Sequence, residues 1–357
     1  MLGRVNYADL TPLQVLDALD AVGLRGDGRI LQLNSYENRV FQVMLEDGDA
    51  VVAKFYRPGR WTDAQILEEH SFALELATAE VPVVPPLTLQ AAADGSQVLH
   101  LQGTPLTLAT LASLASPHSA VQVDSPPHRL AVATRCAGRQ PELEDPDVLR
   151  QIGRFIGRLH AVGRRQPFAQ RHVMNAAVDG TRARDLLLAG GFVTPAEQPA
   201  WEQISAQALA ATVAGFASFG AAQPLTTLRL HGDCHPGNVL WRQAADGTGS
   251  PHMVDLDDAM QGPAVQDLWM LVSGDRATMG QQLNTLLQGY EQFSDFDDRE
   301  LTLIEPLRTL RMLRHSAWLA ERWSDPTFPL HFPYFGTAAY WSQQTTQLRE
   351  QLEAMDG

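Results

Sequence analysis

Residues 228–241 read LRLHGDCHPGNVLW, and residues 253–258 read MVDLDD. An apolar run, Leu228 and Leu230, stops at a tight polar loop, and a second run, Val239 to Trp241, leaves it. The loop collects His231, Asp233, His235 and Asn238, while Gly232 and Gly237 free the backbone to turn tightly. Seventeen residues after Asn238 comes Asp255, at the end of a short apolar approach. A turn at Ala244-Ala245-Asp246-Gly247 makes the intervening stretch a hairpin, which brings Asn238 and Asp255 to one end of it. If the strand pattern persists, Asp257 shares the face of Asp255 and can touch a second metal or a phosphate.

These residue types suit phosphoryl transfer, which needs positioning and charge neutralisation more than covalent help. Asp233 is the candidate to accept the acceptor's hydroxyl proton. Asn238 and Asp255 offer the oxygen ligands that Mg2+ takes. Asp233 and Asn238 stand at the D-x-x-x-x-N spacing of a kinase catalytic loop, with His231 as the leading His and Gly232 replacing the usual Arg. A zinc cluster of His231, Cys234 and His235 is the first competing reading. It is set aside because no C-x-x-C or H-E-x-x-H pattern accompanies it. Asp255, Asp257 and Asp258 alone would read as a solvated acidic turn; the upstream loop outweighs that.

With 357 residues, 45% of them hydrophobic, the chain can bury a sizeable core in two lobes. Its 41 acidic against 27 Lys and Arg residues give a formal charge of −14. That argues against general affinity for nucleic acid or an anionic membrane, and leaves room for a local basic pocket. Two cysteines form no disulfide framework and suit a reducing compartment. The first residues lack the apolar core of a signal peptide, and no apolar run is long enough to span a bilayer. A soluble, cytoplasmic protein is expected.

Thr11 as N-cap, Pro12 and a stripe of Leu13, Leu16, Leu19 and Val22 predict a first helix ending at Gly23. Strands follow at 29–33, 39–45 and 50–56, the second with Phe41, Val43 and Leu45 on one face. The third contains V-V-A-K at 51–54, so Lys54 is the candidate for the α/β-phosphates; a solvent-facing strand lysine is the plain alternative. The loop between the first two strands, residues 34–38, has no glycine, and Ser35 is its candidate phosphate contact. Thr62 to Gln65 reads as a capping box opening a helix to about Thr78. On it Glu69, with Ile66, Phe72, Ala73 and Leu76, takes the inward face and is chosen over Glu68 as partner of Lys54.

Further strands are expected at 97–102 and 129–134, with a poorly patterned surface excursion over 103–127. The lobe boundary falls near 135–140, where the backbone of Ala133–Arg135 would read adenine. That gives an N-lobe of residues 1–136 and a C-lobe of 137–357 carrying the catalytic and metal-binding loops. The remainder is helical: one helix opens at Pro146, and others cover 182–190, 195–219, 264–273, 278–292, 298–323 and 337–353. His160 reads as a packed or capping residue. Asp267 could brace the backbone N–H groups of the 231–238 loop or serve as an ordinary helix-start Asp. The aromatic residues from Trp318 to Trp341 read as core.

With these residues in place, the chain resembles the aminoglycoside-phosphotransferase/choline-kinase branch of the protein-kinase-like superfamily. Within that branch it resembles a family of bacterial stress-response Ser/Thr protein kinases. HGDxHxxN and DLDD belong to the wider superfamily; SYENRV, FYRPGRW and GPAVQDLWML are specific to the one family, and IEPLRTLR also matches. The resemblance implies an α+β bilobal fold, with a β-rich N-lobe and a helical C-lobe. It implies Asp233 as catalytic base, Asn238 and Asp255 as Mg2+ ligands, Ser35 at the nucleotide site, and Lys54 with Glu69 as the nucleotide-lobe ion pair. It also implies a monomeric cytoplasmic enzyme using ATP on a protein substrate in oxidative and envelope stress. Two other functions compete: a small-molecule kinase acting on an amino alcohol, sugar or aminoglycoside, and a nucleotide-binding regulator without transfer. Only eleven residues separate Asp255 from Asp267, too few for a long activation loop with A-P-E, so the protein acceptor rests on the resemblance.

Overall fold

The computed structural model describes residues 7, 10–91, 99–111, 127–243 and 249–356. In chain order they form α1 (Pro12–Ala21), β1 (Gly26–Leu33), β2 (Arg39–Leu45), β3 (Ala50–Phe55), α2 (Asp63–Thr78), β4 (Leu99–Gln102), β5 (Leu108–Leu111), β6 (His128–Thr134), α3 (Pro146–Gly163), α4 (Ala176–Ala189), α5 (Gln198–Ala217), β7 (Leu228–Leu230), β8 (Val239–Gln243), β9 (Gly249–Met253), β10 (Met260–Gly262), α6 (Arg276–Tyr290), α7 (Ile304–Glu321), α8 (Thr327–His331) and α9 (Ala338–Asp356). The chain divides into two units. The first holds residues 1–141, 169–171 and 237–257; the second holds 142–168, 172–236 and 258–357.

In the first unit, six antiparallel strands run in the order β1-β2-β3-β6-β5-β4. The alternation in the sequence does the sorting. Phe41, Val43 and Leu45 of β2 and Val51, Ala53 and Phe55 of β3 are buried together, which leaves Lys54 on the opposite face. The predicted capping box of Thr62 with Gln65 forms, the expected N-cap Thr11 forms a second one with Gln14, and Gly23 ends α1 with φ +79°. The buried face of α1 is Val15, Ala18, Leu19 and Val22, whereas Leu13 is 67% exposed. The helix is therefore rotated from the expected leucine stripe, toward the face where small and branched side chains fit the sheet.

The expected excursion over 103–127 is corrected at its start: residues 108–111 form β5 and fill the gap between β4 and β6. That strand escaped notice because Leu-Ala-Thr-Leu has little β-branching. Residues 112–126 and the predicted turn at 244–247 lie outside the described residues. The first unit runs to Pro141, past the expected limit at 136, because Arg139 exchanges both backbone hydrogen bonds with Trp241, at 3.0 and 2.7 Å. The hairpin of β8 and β9 thus belongs to this unit and not, as expected, to the helical part.

In the second unit, α3 buries the predicted stripe of Val148, Leu149, Ile152, Phe155, Ile156 and Leu159. It lies close against α6 because Gly153, Gly157 and Gly289 carry no Cβ; one added to any of them would strike the facing backbone. A second core gathers Trp201, Leu313, Phe328, Phe335 and Trp341, with Trp201 and Trp341 edge to face at 5.5 Å. Tyr334, expected in the core, is 48% exposed. The helix expected at 264–273 is instead two 3-10 turns, Ala264–Asp267 and Trp269–Leu271. The side chains of Gln266 and Asp267 are drawn to the loop at 231–232, and a tight turn lets both reach it. Among the described residues no helix is long and apolar enough to cross a membrane.

Candidate functional site

In the first unit the hairpin delivers Asn238 and Asp255 as expected. Val239 pairs with Met253, and the Val254 N–H donates to the Asn238 carbonyl at 3.1 Å. Asp255 then turns left-handed, φ +63°, a conformation Asp tolerates better than most residues. The strand does not persist: residues 256–258 form a 3-10 turn, so Asp257 leaves the face of Asp255 and is buried.

Lys54 Nζ lies 2.8 Å from Asp257 Oδ1 and 3.3 Å from Asp255 Oδ1. Asn38 Nδ2 donates to the other Asp257 oxygen, Arg60 stands at 3.9 Å, and Arg171 donates to the Asp257 carbonyl. Burial alone would raise the Asp257 pKa, but Lys54 and then Arg60 overcome it and hold the carboxyl at about 2. Burial likewise opposes the Lys54 charge, and Asp257 and Asp255 outweigh it, raising its pKa well above the ordinary lysine value. Asp257 is thus spent on Lys54 and Asn38 rather than standing open for a second metal.

Glu69 is buried on the inward face of α2, where the sequence phase placed it. Burial lifts its pKa to about 7, and Lys54 pulls against that. The Lys54 ammonium, however, bonds to the two aspartates and not to Glu69, which stands 3.8 Å from His70. Glu68 has a structural task that sequence reasoning missed. Its carboxylate accepts the N–H groups of Ala169, Gln170 and Arg171 at 2.6, 2.7 and 2.7 Å, fastening that segment to the first unit.

Ser35 Oγ accepts from the Asn38 N–H at 3.3 Å, which shapes the glycine-free loop from within. Asn38 was missed as a functional residue, though it stands in the quoted SYENRV stretch. It is buried, and its Oδ1 accepts from the Arg57 N–H at 3.1 Å. Arg57 in turn donates to the Glu37 and Tyr36 carbonyls at 2.9 and 3.0 Å. Val52, Val84, Ala131, Val132, Met253 and Leu256 wall a pocket whose polar end is Lys54, Glu69 and Asp255. The expected adenine edge is narrower than predicted, because the Arg135 N–H is taken by the Ala50 carbonyl at 3.0 Å.

Among the described residues no group of three or more His, Cys, Asp or Glu is arranged for a metal. An amide oxygen from Asn238 with a half-exposed Asp255 carboxylate is still a donor set that suits Mg2+, which fills its shell with water and phosphate oxygens.

In the second unit, β7 pairs with β10 and leads into the 231–236 loop. Gly232 has φ +86°, and a Cβ there would strike the Asp258 carbonyl. Asp267 is fully buried. It accepts the His231 N–H at 2.7 Å and the Gly232 N–H at 2.8 Å, so of the two readings of Asp267 the brace is the one present. His160 backs it, with Nε2 at 3.0 Å from Asp267 and Nδ1 at 2.9 Å from the Tyr290 hydroxyl. Gln266 Nε2 adds a bond to the Gly232 carbonyl at 2.9 Å. The next side chain, Asp233, meets Arg311 at 2.7 Å and His235 at 3.5 Å. Arg311 was also missed, although it ends the quoted IEPLRTLR stretch. Cys234 is sealed; burial first, then Asp267 and Asp233, push its thiol pKa well above the usual range.

Residues 29–304 match the family model described as Phosphotransferase enzyme family. The chain belongs to this family. "Stress response kinase A" of Escherichia coli is 40% identical over 350 residues, 98% of this chain and 95% of the relative. "Serine/threonine protein kinase RdoA" of Salmonella typhimurium matches to the same extent. Of the solved structures, an amicoumacin kinase in complex with AMP-PNP, Ca2+ and Ami is 17% identical with a TM-score of 0.67, covering 97% of this chain and 94% of the other. A microcompartment-associated aminopropanol kinase is 16% identical with a TM-score of 0.66, covering 97% of each. This phosphotransferase therefore has the expected α+β fold, a β-sheet unit and a helical one.

Proposed function

We propose that this phosphotransferase is a Ser/Thr protein kinase that uses ATP with Mg2+. The observation that carries the reading is Lys54, held by Asp255 and Asp257 beside a pocket walled by Val52, Val84, Ala131 and Met253, the mix of apolar wall and fixed cation that a nucleotide's base and phosphates call for. The curated relatives, 40% identical over nearly the whole chain and named as kinases, support a protein acceptor.

In this reading Asp233 orients the acceptor hydroxyl and takes its proton as the oxygen attacks the γ-phosphorus. The bond to the β–γ bridging oxygen breaks and ADP leaves. Lys54 holds the α/β-phosphates, Glu69 adds charge near it, and Ser35 with the pinned 34–38 loop covers them. Asn238 and Asp255 would hold the divalent cation, which when bound would neutralise phosphate charge. His160 and Asp267 keep the loop backbone still, so that Asp233 does not need to reorganise. The low cysteine content and acidic charge support a cytoplasmic, monomeric enzyme, and the relatives' names support a role in stress.

Incubation with γ-labelled ATP, protein extracts and a panel of hydroxyl metabolites tests the acceptor. Label on Ser and Thr of proteins is expected; label confined to a metabolite would favour the second reading, a small-molecule kinase. That alternative draws on the solved neighbours, which share the fold and are named for small substrates.

A further inference from the structure

Within the second unit, α7, α9 and the turn before α9 form the walls of a cavity of about 470 Å³, open on one side to solvent. It is lined by Met312 and His315 from α7, Tyr334 from the turn, and Gln343 and Gln347 from α9. That volume falls inside the range of about 300–1,000 Å³ typical of ligand pockets. Among the described residues no Asp, Glu, Lys or Arg lines it. Gln343 and Gln347, one turn apart and both exposed, line the cavity with no hydrogen bond to another described residue. By contrast, Gln344 is buried and tied to Trp201.

The cavity is linked to the chemistry by α7. Arg311, one turn before His315, holds Asp233 at 2.7 Å. His315 stacks on Trp318 at 5.7 Å and 27°. Lost hydration, then the Arg311 guanidinium, lower the His315 pKa, while Asp233 pulls the other way, so the ring lies within the field of the candidate base. No carboxylate among the described residues lines the cavity, so an ammonium group would find no counter-charge there to replace its hydration. Peptide groups suit it better: free carboxamides donate to and accept from a backbone, and tyrosine rings cover its apolar parts.

We propose that this cavity is the acceptor subsite, and that it takes an uncharged peptide segment flanking the acceptor Ser or Thr while excluding ammonium-bearing small molecules. The proposal rests on the kinase reading above for the identity of the reaction.

Saturation-transfer NMR on the full chain tests it, with N-acetyl, C-amide tripeptides centred on serine and, separately, ethanolamine as probes. The capped peptides are expected to give signal and ethanolamine none. Peptide signal is expected to disappear in Gln347→Trp and in Ala339→Trp, two exposed positions where added bulk fills the cavity. In transfer assays the same variants raise the peptide KM by about tenfold or more, while the KM for ATP moves by less than about twofold. No peptide binding to the wild type, peptide signal that persists in both folded variants, or binding of ethanolamine would overturn the proposal. Peptide binding that the variants abolish, without phosphorylation of any peptide or protein, would support the subsite and overturn the protein-kinase reading instead.

Discussion

Asp233 is half-buried, and its backbone position is set two residues upstream, where Asp267 holds the His231 and Gly232 N–H groups. Asp233→Ala should lower phosphate transfer by about 10²–10⁴-fold while nucleotide binding persists, measured by single-turnover kinetics and nucleotide titration. Asp267→Asn turns an amide donor toward backbone donors in a sealed site. It should destabilise the fold by about 1–3 kcal/mol in urea unfolding and lower kcat more than it raises the KM for ATP. Glu300 gives a pH signature. Burial first lifts its pKa from 4.5 to about 7, against the Val265 N–H bond. Between those values the folded chain holds a proton that the unfolded chain has released, so stability falls as pH rises through that window and levels off above it. Compared with Glu300→Gln, the wild type should lose on the order of 2 kcal/mol between about pH 5 and pH 8 in paired urea titrations.

At the scale of elements, the loop over residues 34–38 works without glycine because side chains hold it from both ends, Asn38 to Asp257 and Arg57 to the Tyr36 and Glu37 carbonyls. Asn38→Ala releases one end. Steady-state kinetics should show the KM for ATP rising by about tenfold, since a hydrogen bond to a charged group is worth about 1.5–3 kcal/mol. The α3–α6 contact is equally intolerant. Gly157→Ala places a methyl on the Tyr290 carbonyl and should cost about 1–3 kcal/mol in thermal unfolding, disturbing Tyr290 behind His160 as well. What could be read from the sequence at this scale was local. The N-cap at Thr11, the capping box at Thr62, the alternation in β2 and the inward phase of Glu69 all depend on neighbours a turn away. Asp257 was misread because the backbone inverts at Asp255, and a single left-handed residue leaves no trace in an alternation pattern. Asn38, His160 and Arg311 find their partners far along the chain, and no spacing rule encodes such a meeting.

At the scale of the whole molecule, ligand binding should report on the assembled nucleotide residues. At about a hundredfold excess over Kd, an ATP analogue with Mg2+ should stabilise the chain by about 2.7 kcal/mol in scanning calorimetry. Asn238→Ala and Asp255→Ala should lose the part that chelation by EDTA also removes. The hydrogen-bonded loop around Asp233 has one more consequence, through its cysteine. Alkylating and oxidising reagents attack a thiolate at the surface, and Cys234 offers neither the charge nor the access. Peroxide should therefore mark Cys136, which is partly exposed, and spare Cys234, a pattern that peptide mass spectrometry reads directly. A phosphotransferase built this way can keep turning over in the same oxidant that would silence one with an open thiol in the corresponding loop.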